Sequence, residues 1–144
     1  MYSIILAAVD GSSRSRGVVD AALEIADRFD SRIHLFRSVA FPQEFPAAAH
    51  MPADGLPKLL ENETLKSLTM LAAGHPRIRI EPPDAATPQP WRAILGAAAK
   101  VKADLIVIGS HGHGGWDRVL GTNASKVADR ADRTVLVVHE PRGT

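Results

Sequence analysis

The sequence predicts an α/β fold: a doubly wound parallel sheet of five strands with helices on both faces. Three observations predict it. Several short apolar runs are continuous rather than alternating, as strands buried on both faces require. Amphipathic stretches with three- and four-residue steps fall between these runs. Strand and helix signals take turns along the chain, which implies right-handed crossovers between parallel strands.

Residues 4–9 (IILAAV) form the first run, cut off by Asp10. Val18, Val19, Ala22, Leu23, Ile25, Ala26 and Phe29 then mark one face of a helix, with Ser12 or Ser13 as its N-cap. Residues 33–36 are the second strand. Four of the ten prolines follow between Phe41 and Pro57, beside Ala47, Ala48 and Ala49, so this stretch reads as a long irregular loop. Leu56, Leu59, Leu60, Thr64, Leu65, Leu68 and Leu71 give the second helix, ending near Gly74 and Pro76. Residues 77–81 (RIRIE) alternate, so the third strand belongs at an edge. Trp91, Ile94, Leu95, Ala98 and Val101 mark the third helix, behind Pro88 and Pro90. Residues 105–108 (LIVI) are the fourth strand. Leu120, Ala124, Val127, Ala128 and Ala131 mark the fourth helix, and residues 135–138 (VLVV) close the sheet.

The chain has 144 residues, a length that fits one domain, and shows neither internal repeat nor linker. Seventeen Lys and Arg against sixteen Asp and Glu give a net charge of +1. Such balance supplies no field for nucleic acid or an anionic membrane, so neither is an expected partner. The absence of cysteine excludes a disulfide scaffold, a thiolate zinc site, an iron–sulfur cluster and a cysteine nucleophile. No apolar run approaches the roughly 20 residues of a membrane span. The opening residues lack the basic lead of a signal peptide, so a cytoplasmic protein is expected.

In an open parallel sheet, ligands bind beyond the carboxyl ends of the strands, where the strand order switches. Asp10-Gly11-Ser12-Ser13 follows the first strand, Ser38 and Val39 the second, and Gly109-Ser110-His111-Gly112-His113-Gly114-Gly115 the fourth. Five of the eleven glycines lie between Gly109 and Gly121, the strongest local anomaly in the sequence. A run of exposed amides leading to the helix start at Gly121-Thr122-Asn123 makes an anion site, and phosphate is the anion it suits. A flexible surface loop is the other reading of the same glycines. Familiar phosphate motifs fail: Gly115 and Trp116 replace the Lys and Ser/Thr of a P-loop, and Asp117 replaces the third glycine of a dinucleotide fingerprint. A nucleophile elbow at Ser110 fails because Ile108 stands at its first glycine.

Residues 103–114 (ADLIVIGSHGHG), Gly121-Thr122, residues 135–138 and the opening Ile4-Leu6-Ala8-Val9-Asp10-Gly11-Ser12 resemble the universal stress protein family across nearly the whole chain, least from Phe41 to Pro90. Nucleotide-binding members carry Gly-x2-Gly-x9-Gly-Ser/Thr. Here Gly109 and Gly112 match, with eight residues between Gly112 and Gly121 and Asn123 after Thr122, similar to a sub-branch with Gly-Ser-Asn. The resemblance implies strand order 3-2-1-4-5, ATP, ADP or AMP between the first and fourth strands with Mg2+, and a homodimer through the last strand. It places Asp10 at the ribose or adenine end and Ala8 among the nucleotide-binding residues, with Ser38 or Val39 framing the adenine. Ile108, Gly109, Ser110, His111 and Gly112 would run beside ribose and phosphates, and Gly121, Thr122, Asn123 and Ala124 would hold the phosphates. The implied role is a nucleotide-dependent stress-response module; weak ATP hydrolysis or self-phosphorylation at the same site is the alternative.

Plainer roles compete for the same residues. Asp10 also suits a cap on the first helix. His111, His113 and Asp117 have the residue types of a metal site, whereas His34, His50, His75 and His139 show no partner pattern. Trp91 sits at core spacing, and Trp116 suits packing or a nucleotide cover. Arg14, Arg16 and Arg118 flank the proposed site. The last strand, Thr134 to His139, would expose an apolar edge unless a second copy paired with it. A flavodoxin and a response regulator are poor matches: Asp10 has no acidic neighbour, and His139-Glu140 stands where a regulator carries Lys.

Overall fold

The computed structural model describes residues 1–38, 55–84, 87–110 and 122–139, apart from the side chains of residues 55–57 and 122. Its elements run β1 (Ile4–Ala8), α1 (Ser15–Phe29), β2 (Arg32–Phe36), α2 (Gly55–Ala72), β3 (Ile78–Ile80), α3 (Pro90–Val101), β4 (Leu105–Gly109), α4 (Thr122–Arg130) and β5 (Thr134–Val138). The five strands form one parallel sheet in the order β3-β2-β1-β4-β5. β1 lies at its centre, with Ile5 in register with Ile33 on one side and Leu105 on the other.

Continuous apolarity has its cause in two cores, one on each face. Alternate residues Ile5, Ala7, Ile33, Leu35, Leu105 and Val107 pack against Val18, Val19, Ala22 and Ala26 of α1 and Leu68 of α2. The residues between them, Leu6, Ala8, Phe36, Ile106 and Ile108, pack against Ala93, Ile94 and Ala98 of α3 and Ala124 and Val127 of α4. Both faces of β1 and β4 are therefore apolar, whereas β3 is only half-buried at its edge, as its alternation predicts. β5 forms the opposite edge and leaves Leu136 38% exposed.

Polar clamps pin the ends of these elements. Asp104 accepts hydrogen bonds from the Ser3 and Ile4 amides at 2.9 and 3.1 Å, tying the start of β1 to β4. Arg133 Nη1 donates to the carbonyls of Ala98 and Ala103 at 2.9 and 2.8 Å and so closes the end of α3. Its Nε donates to Asp132, and that hydrogen bond, with the guanidinium charge, holds the exposed Asp132 carboxyl below its ordinary value. His34 Nδ1 lies 2.5 Å from Glu81 Oε1, so this histidine has a partner that no local pattern displayed. Trp91 packs on the α3–α4 core, as its spacing predicts, with Arg130, Arg92 and Lys126 at 4.6, 5.1 and 5.7 Å from its ring.

Two boundaries differ from the sequence reading. α1 starts at Ser15 behind Arg14, with no side-chain cap. Ser12 and Ser13 do not cap it: the amide and hydroxyl of Ser12 are bound by Asp10 in the preceding turn. α2 starts at Gly55 and so includes Pro57, the last residue of the expected loop. A proline in the first helical turn forfeits no intrahelical hydrogen bond, which makes this start admissible. The rest of that loop lies outside the described residues.

Candidate functional site

The carboxyl ends of β1 and β4 open into a cleft of about 640 Å³. It sits where the chain leaves β1 for β2 on one side and returns as β4 on the other, the switch point at which open α/β sheets bind ligands. Its floor is apolar: Ala8 and Val9 from β1 and its turn, Val18 from α1, Ile94 from α3 and Ile108 from β4.

The turn after β1 is tied by its own side chains. Asp10 Oδ1 accepts from the Ser12 amide at 2.9 Å and the Ser12 hydroxyl at 2.6 Å, with the Ser15 hydroxyl at 3.4 Å. Ser15 Oγ accepts from the Gly11 amide at 3.2 Å. Asp10 thus organises the turn ahead of α1 and still presents an exposed carboxylate to the cleft. Gly11 takes φ +81°, a backbone that side chains disfavour, and the Arg37 guanidinium lies where its Cβ would be.

On the other side, Gly109 ends β4 so close to α1 that a Cβ there would meet Val18 Cγ2 at 3.3 Å. The Ser110 amide donates to the Val138 carbonyl at 2.9 Å, which carries the β4–β5 ladder to the rim of the cleft. Thr122 is the first residue of α4, and Asn123 and Ala124 in its first turn face the cleft.

Of the residues singled out in the sequence, Ala8, Asp10, Ser38, Ile108, Gly109, Ser110, Asn123 and Ala124 come together around this one cleft. Val39, His111, Gly112 and Gly121 lie outside the described residues, as do His113, Trp116, Asp117 and Arg118. Among the described residues no group of three histidines or acids is placed to hold a metal.

The cleft also gathers residues that the sequence reading passed over. Arg37 and His139 each stand just past a strand end, so the rule that selected Ser38 pointed to them as well. Leu60 and Thr64, one turn apart on α2, form a wall that only the docking of α2 reveals. Arg14, Arg16 and Arg37 face the cleft, against Asp10 as the one carboxylate among the described lining residues.

A parallel sheet in the order β3-β2-β1-β4-β5, with a cleft at its switch point, defines the class of doubly wound α/β proteins. The sequence matches the universal stress protein family over residues 1–139, and the chain belongs to that family. It is 33% identical over 142 residues to universal stress protein A homolog 1 of Coxiella burnetii, covering 95% of this chain and 96% of that one. Among solved structures, it resembles a universal stress protein in complex with cAMP at 27% identity and a TM-score of 0.63, over 96% of this chain and 97% of that one. It likewise resembles UspA from Lactobacillus plantarum at 27% identity and a TM-score of 0.69, over 95% and 97% of the two chains. No helix of this chain's described residues is long and apolar enough to cross a membrane.

Proposed function

We propose that this protein is a single-domain, cytoplasmic regulatory module of the stress response that binds ATP, ADP or AMP in the β1–β4 cleft. The observation that carries this reading is the position and lining of the cleft: an apolar floor at the switch point of the sheet, beside the first turn of α4. A cleft at the carboxyl ends of a doubly wound sheet, next to a helix start, is suited to a small anion with an apolar body. The relative of 27% identity that binds cAMP supports an adenine nucleotide as that ligand.

In this reading Ala8, Asp10, Ser38 and Val39 contact the nucleoside. Ile108, Gly109, Ser110, His111 and Gly112 run beside the ribose and phosphates, and Gly121, Thr122, Asn123 and Ala124 receive the phosphates at the helix start. Mg2+ keeps most of its waters and would be held chiefly by the phosphate oxygens of the nucleotide. Nucleotide occupancy would act through a homodimer, formed by the β5 edge pairing with its copy.

Isothermal titration with ATP and Mg2+ tests the reading, with Gly109→Val as the control that fills the cleft against Val18. Saturable binding that the substitution weakens by at least about tenfold, or 1.4 kcal/mol, is expected. No heat of binding up to millimolar ATP would remove it. Mass spectrometry of any ligand released from the denatured, freshly purified protein identifies the resident nucleotide.

A further inference from the structure

We propose that Arg37 is the base platform of the cleft: its guanidinium, seated flat on Gly11, stacks on the heteroaromatic ring of a bound purine nucleotide, a role that rests on the nucleotide reading above. Three distances define the seat. A Cβ built on Gly11 would lie 2.5 Å from Arg37 Cζ, 2.6 Å from Nη1 and 2.7 Å from Nη2. In an edge-on approach a nitrogen would be nearest; here the central carbon is, so Gly11 meets the face of the plane. The missing side chain is what lets the plane settle there.

One face of the guanidinium is thereby used. Arg37 also lines the cleft, which is left with the opposite face and the N–H edges. Among the described residues none forms a hydrogen bond or ion pair with Arg37, so no described carboxylate competes for that face.

Position assigns this face to the base rather than to the phosphates. Arg37 directly follows β2, while Gly109 and the start of α4 follow β4, and β1 separates the two. Two strand spacings put the ends of β2 and β4 roughly 10 Å apart. A nucleotide with its phosphates at α4 and its sugar at Asp10 delivers its base to the β2 side. There a planar, weakly hydrated, delocalised cation stacks on a ring face, which a lysine ammonium cannot do by shape.

Isothermal titration of the full chain with ATP, and with tripolyphosphate as the base-free probe, tests the assignment. Arg37→Leu is expected to weaken ATP binding by about 3- to 30-fold and to leave tripolyphosphate binding within about twofold. Arg37→Lys retains the charge without the plane and is expected to recover only part of the loss seen with leucine. Variants that bind ATP like the wild type, a tripolyphosphate loss that matches the ATP loss, or full rescue by lysine would each overturn the platform. If tripolyphosphate binds too weakly to measure in the wild type, the lysine variant decides. A wild-type chain that binds no ATP removes the nucleotide reading and the platform with it, whereas wild-type binding with unaffected variants removes the platform alone.

Discussion

Gly11→Ala perturbs the turn and the cleft at once, and the two effects are separable. The backbone at φ +81° costs an alanine about 1–2 kcal/mol relative to glycine. The new Cβ would lie 2.5 Å from Arg37 Cζ, far inside the usual carbon–carbon contact of about 3.5–4.0 Å. The guanidinium is the end of a flexible side chain, so it leaves and the turn stays. The melting temperature is expected to fall by about 3–8 °C for a chain of this length. Nucleotide affinity falls by the same factor as in Arg37→Leu, and the double variant binds no more weakly than Arg37→Leu, because the guanidinium is lost from its seat in both. Thermal melts and titrations of the wild type, both single variants and the double variant measure all four corners. Gly96→Ala is the control: it lies inside α3 with nothing within 4 Å of its Cβ, so it should raise stability by about 0.8–1 kcal/mol. A Gly11→Ala protein that melts with the wild type, or binding losses that add in the double variant, would refute the reasoning.

Two further perturbations read the frame around the site. Arg133→Met removes two charged hydrogen bonds to the end of α3 and should cost about 2 kcal/mol by urea denaturation. It also restores the Asp132 carboxyl to its ordinary value, which NMR titration measures. The sign follows from linkage: a depressed folded value stabilises above the ordinary carboxyl range and is lost as pH falls through the depressed value, so the variant loses this acid-side slope. Leu136→Lys puts like charges on the proposed β5–β5 edge while altering a side chain already 38% exposed. Light scattering should then give a mass near 15.4 kDa instead of twice that value, with the melting temperature of the separated chain little changed.

The fold was legible because periodicity carries it. Ile5, Leu6, Ala7 and Ala8 are apolar at every position since both faces of β1 are covered, and 77–81 alternate since one face of β3 is not. The cleft was legible as far as strand ends announce it: Asp10, Ser38, Gly109 and Ser110 each follow an apolar run. Side-chain partnerships across long separations were not. His34 finds Glu81, 47 residues away, and Arg133 finds Ala98, 35 residues away. Leu60 and Thr64 reach the cleft only because α2 docks on the side of the sheet that α1 also covers. The start of α1 was misread because Ser12 has two possible jobs, capping a helix or closing a turn, and the nearby Asp10 carboxylate decides for the turn.

A net charge of +1 excludes a protein-wide field, and that exclusion does not extend to a single cleft. Both ends of the sheet carry arginines: Arg32, Arg77 and Arg79 line a second cleft with Asp30 at the amino ends. At the amino ends of the strands, Arg77 is taken up by Asp27 and Asp30 at 3.5 and 2.8 Å. At the carboxyl ends, Arg14, Arg16 and Arg37 share the rim with Asp10. Salt screens exposed charges over about 8 Å under physiological conditions, so charges at the far end of the sheet are weakly felt there. Apolar walls such as Ile94 and Ile108 concentrate what field remains. Composition averages over both ends of the sheet, whereas a ligand at the switch point meets only one, so the net charge of the chain does not by itself decide what that cleft attracts.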